Sequence, residues 1–365
     1  MMPKDIIARS EDLLSRLENA VPLYAGTDKE LELEALFLQE YFIKTILYAA
    51  MAIDDQSLPL THFKTMQDIC RGVFPYWIDN DIIFGLGKKK LKLLSCINKD
   101  FFSQDEFDSF LKTVKSEYCP AVSVIMPTFN RPDSIAKAAK SVLDQTYPLL
   151  ELIVVNDGGS EDTRDIIAGL NDERVRYIHL SENKGPSAAR NHGIRNAAYD
   201  LIAFHDDDDL WKAEKLEKQV DALCNGISHA GFAYCEMAYH RISEDNEILR
   251  IPASTINKVR KEGYIYPELL RGNFIGGPTI LVYKSCFNKI GYFNEKLPLF
   301  EDWELILRLA KEYEACFIPE PLYDYYEYAV SRSTAKDLQQ TAINDFYEDF
   351  TPDRERFGLY NHINH

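Results

Sequence analysis

This chain has little positive charge. Lys and Arg number 41 against 58 Asp and Glu, leaving a formal charge of −17. A nucleic-acid binder presents a basic face, so the balance argues against that class. Long apolar runs are also missing. The most apolar early stretch, Leu31 to Ile53, is interrupted by Glu32, Glu34, Glu40 and Lys44, whereas a spanning helix needs about 20 mostly apolar residues. It reads as a buried or partner-facing helix, and reversible attachment to a membrane surface stays open. The opening "MMPKDIIARSEDLL" has no basic segment followed by an apolar core, so a secretory signal is not expected. The 7 cysteines are odd in number and no two make a CxxC. That excludes the usual zinc and redox motifs and suits reduced, buried thiols in a cytoplasmic protein. GxxxxGK[ST], GxGxxG and the DxDxDG calcium loop are absent too, as are internal repeats and low-complexity segments.

What is there falls into regions of different period. Residues 1–118 read as helices joined by short turns. The expected helices are "DIIARSEDLLSRLENA", Leu31 to Ile53, "PLTHFKTMQDICRGV" and "FSQDEFDSFLKTVKSEY". In the last, Ser103 and Glu106 have the spacing of a capping box. From 119 to about 335 the pattern is α/β. Short β-branched runs, "VSVIMP" (122–127), "LIVVND" (152–157), "VRYIHL" (175–180) and "LIAFHD" (201–206), alternate with helical stretches. This spacing predicts a Rossmann-like, doubly wound, mostly parallel sheet with right-handed crossovers. "HAGFAYCEMAYHRI" and "PTILVYKS" read as further strands, "EDWELILRLAKEY" as a helix, and "ACFIPEPLYDYY" as a strand or extended arm. Residues 336–365 form a tail read as helical.

Ligands in such sheets sit beyond the carboxyl ends of the strands, and the chemically distinctive residues fall there. Four acids, Asp206 to Asp209, follow the fourth run. Four adjacent carboxylates need open water or a cation. In an extended strand Asp206 and Asp208 would share a face, and hard carboxylate oxygens suit Mg²⁺ or Mn²⁺. The plainer reading is an acidic turn before a helix, with Asp209 as its N-cap. Asp157 stands at the end of the second run, before Gly158 and Gly159, where its carboxylate can accept from the N3–H of a uracil-type base. An ordinary strand-to-helix turn explains it equally. Lys184 and Arg190 place cations at the opening turns of a helix, which a solvated helix start would also do. "RGNFIGGPTI" (271–280) suits a wall facing an acceptor, or merely a turn before a strand.

The order of the pieces says more than any one of them. "SVIMPTFNR", "IVVNDGGSEDT", "NKGPSAARNHGI", "IAFHDDDDLW" and "EDWELILRL" follow one another over about 120–320. Together they resemble the family 2 glycosyltransferases, whose nucleotide-sugar-binding fold is of the A type. The resemblance implies an inverting, metal-dependent enzyme using a UDP-sugar, with a dTDP-sugar second. Its acceptor would be a hydroxyl of a saccharide, lipid-linked saccharide or glycoconjugate in bacterial surface polysaccharide assembly. It implies Thr128, Phe129 and Asn130 around the nucleoside, Asp157 on the base, and Lys184 and Arg190 near base and phosphates. Asp206 and Asp208 match the DxD pair that holds the ribose and Mn²⁺ or Mg²⁺, with Asp208 the direct ligand. Asp302 matches the catalytic base. Asp207 stands where many relatives have a small residue, so the assignment within the run is open by one position and Asp207 counts among the donor-binding residues. A nucleotidyltransferase or a non-catalytic sugar-nucleotide-binding module are the alternatives. Cytoplasmic location, peripheral contact with the inner face of the cell membrane, and self-association through the N-terminal helices complete the expectations.

Overall fold

Seven-residue runs of mainly β-branched and aliphatic side chains make the first two strands. β1 (Val122–Thr128) and β2 (Leu150–Asn156) are buried almost throughout, as a parallel strand covered on both faces requires. They pair in parallel, and β3 (Val175–His179) and β4 (Leu201–Phe204) extend the same parallel ladder on either side. This computed structural model describes residues 32, 35–54, 58–73, 88–159, 162–226, 229–242, 248–251, 261–327, 350–357 and 359. The chain divides into two compact units, Met1–Pro120 and Ala121–His365.

In the second unit the sheet continues through β5 (Leu210–Trp211), β6 (Ala230–Ile242), β7 (Ile248–Ile251), β8 (Ile280–Tyr283) and β9 (Glu314–Glu327), in the order β3-β2-β1-β4-β8-β6-β9-β5, with β7 on β6. The parallel alternation expected from sequence holds for the first four strands. Beyond β4 the sheet is mixed: β8 is antiparallel to β4 and β6, while β9 is parallel to β6. One acid lies within the β1–β4 ladder. Burial would raise the pKa of Glu151, but Ser123, Arg176 and the Ala198 amide all donate to it, and together they hold it below the usual range.

Four helices pack close to this sheet or to its carboxyl end: α5 (Pro132–Leu143), α7 (Pro186–Asn196), α8 (Lys215–Asn225) and α11 (Glu301–Glu312). Between and around them run α6 (Asp162–Ala168), α9 (Tyr266–Leu269) and α10 (Cys286–Ile290). Pro132 opens α5, where its missing N–H costs nothing. α7 closes tightly on β1 because position 193 is glycine: a Cβ there would lie 2.4 Å from Cγ2 of Ile125. α11 buries Trp303, Leu305, Ile306, Leu307, Leu309 and Ala310 in the core formed with β4, β6 and β8, so its first turn stays at the sheet's carboxyl end. Of the expected C-terminal helix, residues 350–356 are helical. Residues 357 and 359 are not helical, and the remainder of that expectation lies outside the described residues.

The first unit is helical where described. A π-helical turn (Leu38–Ile43) runs into α1 (Lys44–Ala52), followed by α2 (Leu60–Val73), α3 (Lys88–Leu94) and α4 (Gln104–Tyr118). The expected helix "DIIARSEDLLSRLENA" lies outside the described residues. Ser103 caps α4 by accepting from the Glu106 amide at 3.2 Å. The return bond from Glu106 goes to the Phe102 amide rather than to Ser103 itself. Phe63, Phe101 and Phe107 meet at ring distances of 4.6–5.5 Å in its core. Among the described residues no helix is long and apolar enough to cross a membrane. None of the seven cysteines is in a disulfide.

Candidate active site

β1 sits between β2 and β4, which is where the chain's direction of winding reverses. A crevice outside the carboxyl ends is expected at that point, and a cavity of about 790 Å³ opens there. Its wall takes Thr128, Phe129 and Arg131 from the end of β1 and Asp157 from the end of β2. Gly185, Pro186 and Arg190 come from the start of α7, Asp206 to Asp209 from beyond β4, and Phe300, Glu301 and Asp302 from the start of α11.

The four acids are not in a strand, which corrects the alternation expected from sequence. β4 ends at Phe204; the His205 amide makes a last bond to Ile125 O, and the chain then turns. What sorts the acids is arginine. Arg190 donates to Asp206 at 2.8 Å and to Glu301 at 3.0 Å, with its guanidinium 5.6 Å from the Phe293 ring centroid. Arg131 donates to Asp208 and lies 3.7 Å from Asp207. Asp209 is no N-cap, because the helix begins only at Lys215. It is buried, accepting from the Tyr323 hydroxyl and the Tyr326 amide.

Crowding and burial push these carboxyls up. Burial, with the charge of Asp208, takes Asp207 to about 7 against the pull of Thr128 and Arg131. Burial and the charges of Asp206 and Asp208 take Asp209 to about 8. Asp208 is raised by burial and by Asp206. Burial opposes the charge on Arg190, but Asp206 and Glu301 outweigh it and keep the guanidinium protonated.

Asp302, which lines the same cavity, occupies the first turn of α11. Its Oδ1 accepts from its neighbour's amide, Trp303 N, at 2.7 Å, and Oδ2 from Gly277 N at 3.0 Å. Burial and the adjacent charge of Glu301 raise it to about 6, although both amides and Arg190 favour the carboxylate. Each oxygen keeps a second lone pair. Asp302 can therefore accept a proton near neutrality, the property required of a general base. The preceding residue, Phe300, is held at φ 63°, a conformation that costs a non-glycine residue on the order of 1 kcal/mol or more.

The remaining expected residues are distributed unevenly. Phe129 is 43 % exposed and lines the cavity. Thr128 and Asp157 also line it. Both oxygens of Asp157 are engaged by backbone, from Lys184 N at 2.9 Å and Gly185 N at 2.7 Å, so this acid fixes the loop that leads into α7. The Lys184 side chain does not line the cavity; its Nζ pairs with Glu182 at 3.0 Å. Asn130 does not line it either, and takes a left-handed φ of 54°.

Among the described residues, no three His, Cys, Asp or Glu side chains form a ready-made metal cage. The donor set nevertheless fits a hard divalent cation. The wall carries seven carboxyls, Asp157, Asp206, Asp207, Asp208, Asp209, Glu301 and Asp302, against the two guanidiniums of Arg131 and Arg190. Asp207 Oδ2 is buried with no hydrogen-bond partner. Mg²⁺-like ions commonly take only one or two carboxylates and fill their shell with water and substrate phosphates.

Residues 123–281 match the family model described as glycosyl transferase family 2. An uncharacterized glycosyltransferase of Rickettsia felis is 35% identical over 199 residues, covering 53% of this chain and 32% of that protein. WfgD of Escherichia coli, named UDP-Glc:alpha-D-GlcNAc-diphosphoundecaprenol beta-1,3-glucosyltransferase, is 30% identical over 250 residues, 66% of this chain and 92% of WfgD. The chain belongs to glycosyl transferase family 2. It spans a quarter to a third of the length of the first Rickettsia relatives it matches. The fold is also that of the mannosyltransferase PcManGT of Pyrobaculum calidifontis, solved with GDP-Man and Mn²⁺. The TM-score is 0.51 at 18% identity, over 64% of this chain and 65% of that one.

Within this family 2 chain, two cavity residues and one glycine behind Asp302 carry roles that the sequence did not reveal. Arg131 stands in the "SVIMPTFNR" block, but only the fold sets it on Asp207 and Asp208. Glu301 reads as a helix-start acid, and its partnership with Arg190 spans 111 positions. Gly277 belongs to a flexible-looking segment; its amide in fact holds Asp302.

Proposed function

We propose that this chain is a metal-dependent, inverting glycosyltransferase. It takes a sugar from a UDP-sugar, with a dTDP-sugar second, and gives it to a hydroxyl of a saccharide or lipid-linked saccharide. The observation that carries this reading is that Asp302, raised to about 6, faces the same cavity as the Asp206–Asp208 turn. A proton acceptor and a cation-binding turn lining one crevice suit the displacement of a diphosphate by an alcohol. The names of relatives support this substrate class: WfgD carries a UDP-linked donor and a diphosphoundecaprenol-linked acceptor in its name, and TuaG of Bacillus subtilis is named for teichuronic acid biosynthesis. Such substrates belong to the assembly of a bacterial surface polysaccharide at the cytoplasmic side of the membrane.

Asp206 and Asp208 would hold Mn²⁺ or Mg²⁺, which supplies positive charge to the departing diphosphate. Phe129 gives the nucleobase a face to stack on, beside Thr128. Asp157 keeps the 184–185 backbone in place at the nucleoside's edge. Arg190 keeps Asp206 oriented. Asp302 accepts the acceptor hydroxyl's proton as that oxygen bonds to the sugar carbon. The bond from that carbon to the diphosphate oxygen breaks on the opposite face, which inverts the centre.

The test is Asp302→Asn beside the wild type, with Mn²⁺ and a panel of nucleotide sugars. Donor binding should survive the substitution, while transfer, and slow hydrolysis of one donor to UDP and free sugar, should be lost. A nucleotidyltransferase would leave the nucleotide sugars intact and would instead release pyrophosphate when given UTP and a sugar 1-phosphate, and binding without turnover in the wild type would identify a sugar-nucleotide-binding module.

A further inference from the structure

Two arginines serve the acidic turn, and they are held very differently. Arg190 has a side-chain exposure of 10 % and is fixed from three sides, by Asp206, Glu301 and the Phe293 ring. Arg131 has an exposure of 49 %, yet it reaches onto carboxylates exposed by only 9 % (Asp207) and 19 % (Asp208). Its backbone lies at the N-terminal boundary of α5. The head group can therefore leave for water while its backbone stays in place. Its departure would uncover a wall that already contains one buried, partnerless oxygen, Asp207 Oδ2.

We propose that Arg131 is a detachable counter-ion, which occupies the cation's place on Asp208, beside Asp207, and swings away when a divalent metal enters. This rests on the metal-dependent reading above. Four adjacent acids next to apolar strands repel one another in the absence of a metal. A permanently bound arginine would neutralise them but would close the site. A half-exposed arginine keeps the turn ordered and yields to a doubly charged ion, which pairs with the same oxygens more strongly. Metal entry and arginine release are then one exchange, and Arg131 sets the metal affinity. Once released, the guanidinium stands at the cavity mouth, where the phosphates of a donor would be its next partner. Arg190 cannot exchange in this way without also stranding Glu301.

The experiment is titration with Mn²⁺ alone, without nucleotide, on the full chain. Free Mn²⁺ is read by electron paramagnetic resonance, and thermal melting is monitored in parallel. Arg131→Gln should bind Mn²⁺ tighter than wild type by about fivefold, the equivalent of one partly exposed ion pair. Arg131→Lys, which keeps the charge, should stay near wild type. Metal-free Arg131→Gln should melt below the wild type, and Mn²⁺ should raise its melting temperature by more. If Arg131→Gln binds Mn²⁺ equally or more weakly while Asp208→Asn abolishes binding, the exchange is wrong and the metal site stands. If neither the wild type nor Arg131→Gln binds Mn²⁺, the metal-dependent reading fails and the exchange with it.

Discussion

The amide of Gly277 donates to Oδ2 of Asp302 at 3.0 Å, across a gap that has no room for a side chain. A Cβ at position 277 would lie 2.8 Å from Cβ of Asp302. Gly277→Ala should therefore push the base away from its place rather than disturb the donor side. Misplacing a reacting group by an ångström can cost about a hundredfold in rate. Steady-state kinetics on Gly277→Ala should show kcat reduced by at least about tenfold, with UDP affinity by calorimetry unchanged. Equal losses in both would place Gly277 in general folding instead.

On the proposed mechanism, the raised pKa of Asp302 would set the acid limb of the pH profile. A base works only when ionised, so kcat/KM should climb with pH through about 6 and level off above it. Glu301 is the charge that, after burial, holds this value up. Glu301→Gln removes that charge, makes the Asp302 carboxylate easier to form, and should move the limb to lower pH. A limb that stays in place, or moves up, would separate it from Asp302.

The legible and illegible parts of this molecule divide along sequence distance. β1 to β4 were readable because each is a short local run with its own period, and α11 because its apolar residues recur at helical spacing. The acidic turn was misread because nothing local says that the strand stops at Phe204. Asp209 looked like a cap because its real partners, Tyr323 and Tyr326, are 114 and 117 positions away. α3, "KKKLKLL", is illegible since its apolar residues are too few to set a helical period. Gly277 and Arg131 were visible as residues, but their roles depend on pairings of 25 and 77 positions.

Arg190 offers a stability test independent of any assay. It is 8 % exposed and joins Asp206 to Glu301. Arg190→Met keeps much of the volume and strands two carboxylates. Removing one partner of a buried pair costs about 3–5 kcal/mol; since Asp206 and Glu301 retain some solvent, a loss of about 3 kcal/mol is expected in urea, tracked through Trp211 and Trp303. Arg190→Lys restores charge but not the planar fork that reaches both acids, so it should fall between the two. A loss within a few tenths of wild type would mean that the bridge contributes little.

Phe129 separates ligand recognition from folding most cleanly. The residue is 43 % exposed and lines the cavity, so little core packing is lost when it is truncated. Stacking a base on an aromatic face contributes about 1–3 kcal/mol. Phe129→Ala should accordingly weaken UDP binding by about tenfold or more in a calorimetric titration while leaving the melting temperature where it was. Phe129→Leu keeps an apolar surface without a flat face and should recover only part of the affinity. If UDP binds both variants as it binds the wild type, the nucleobase does not lie against this ring, and the donor must enter the crevice from another side.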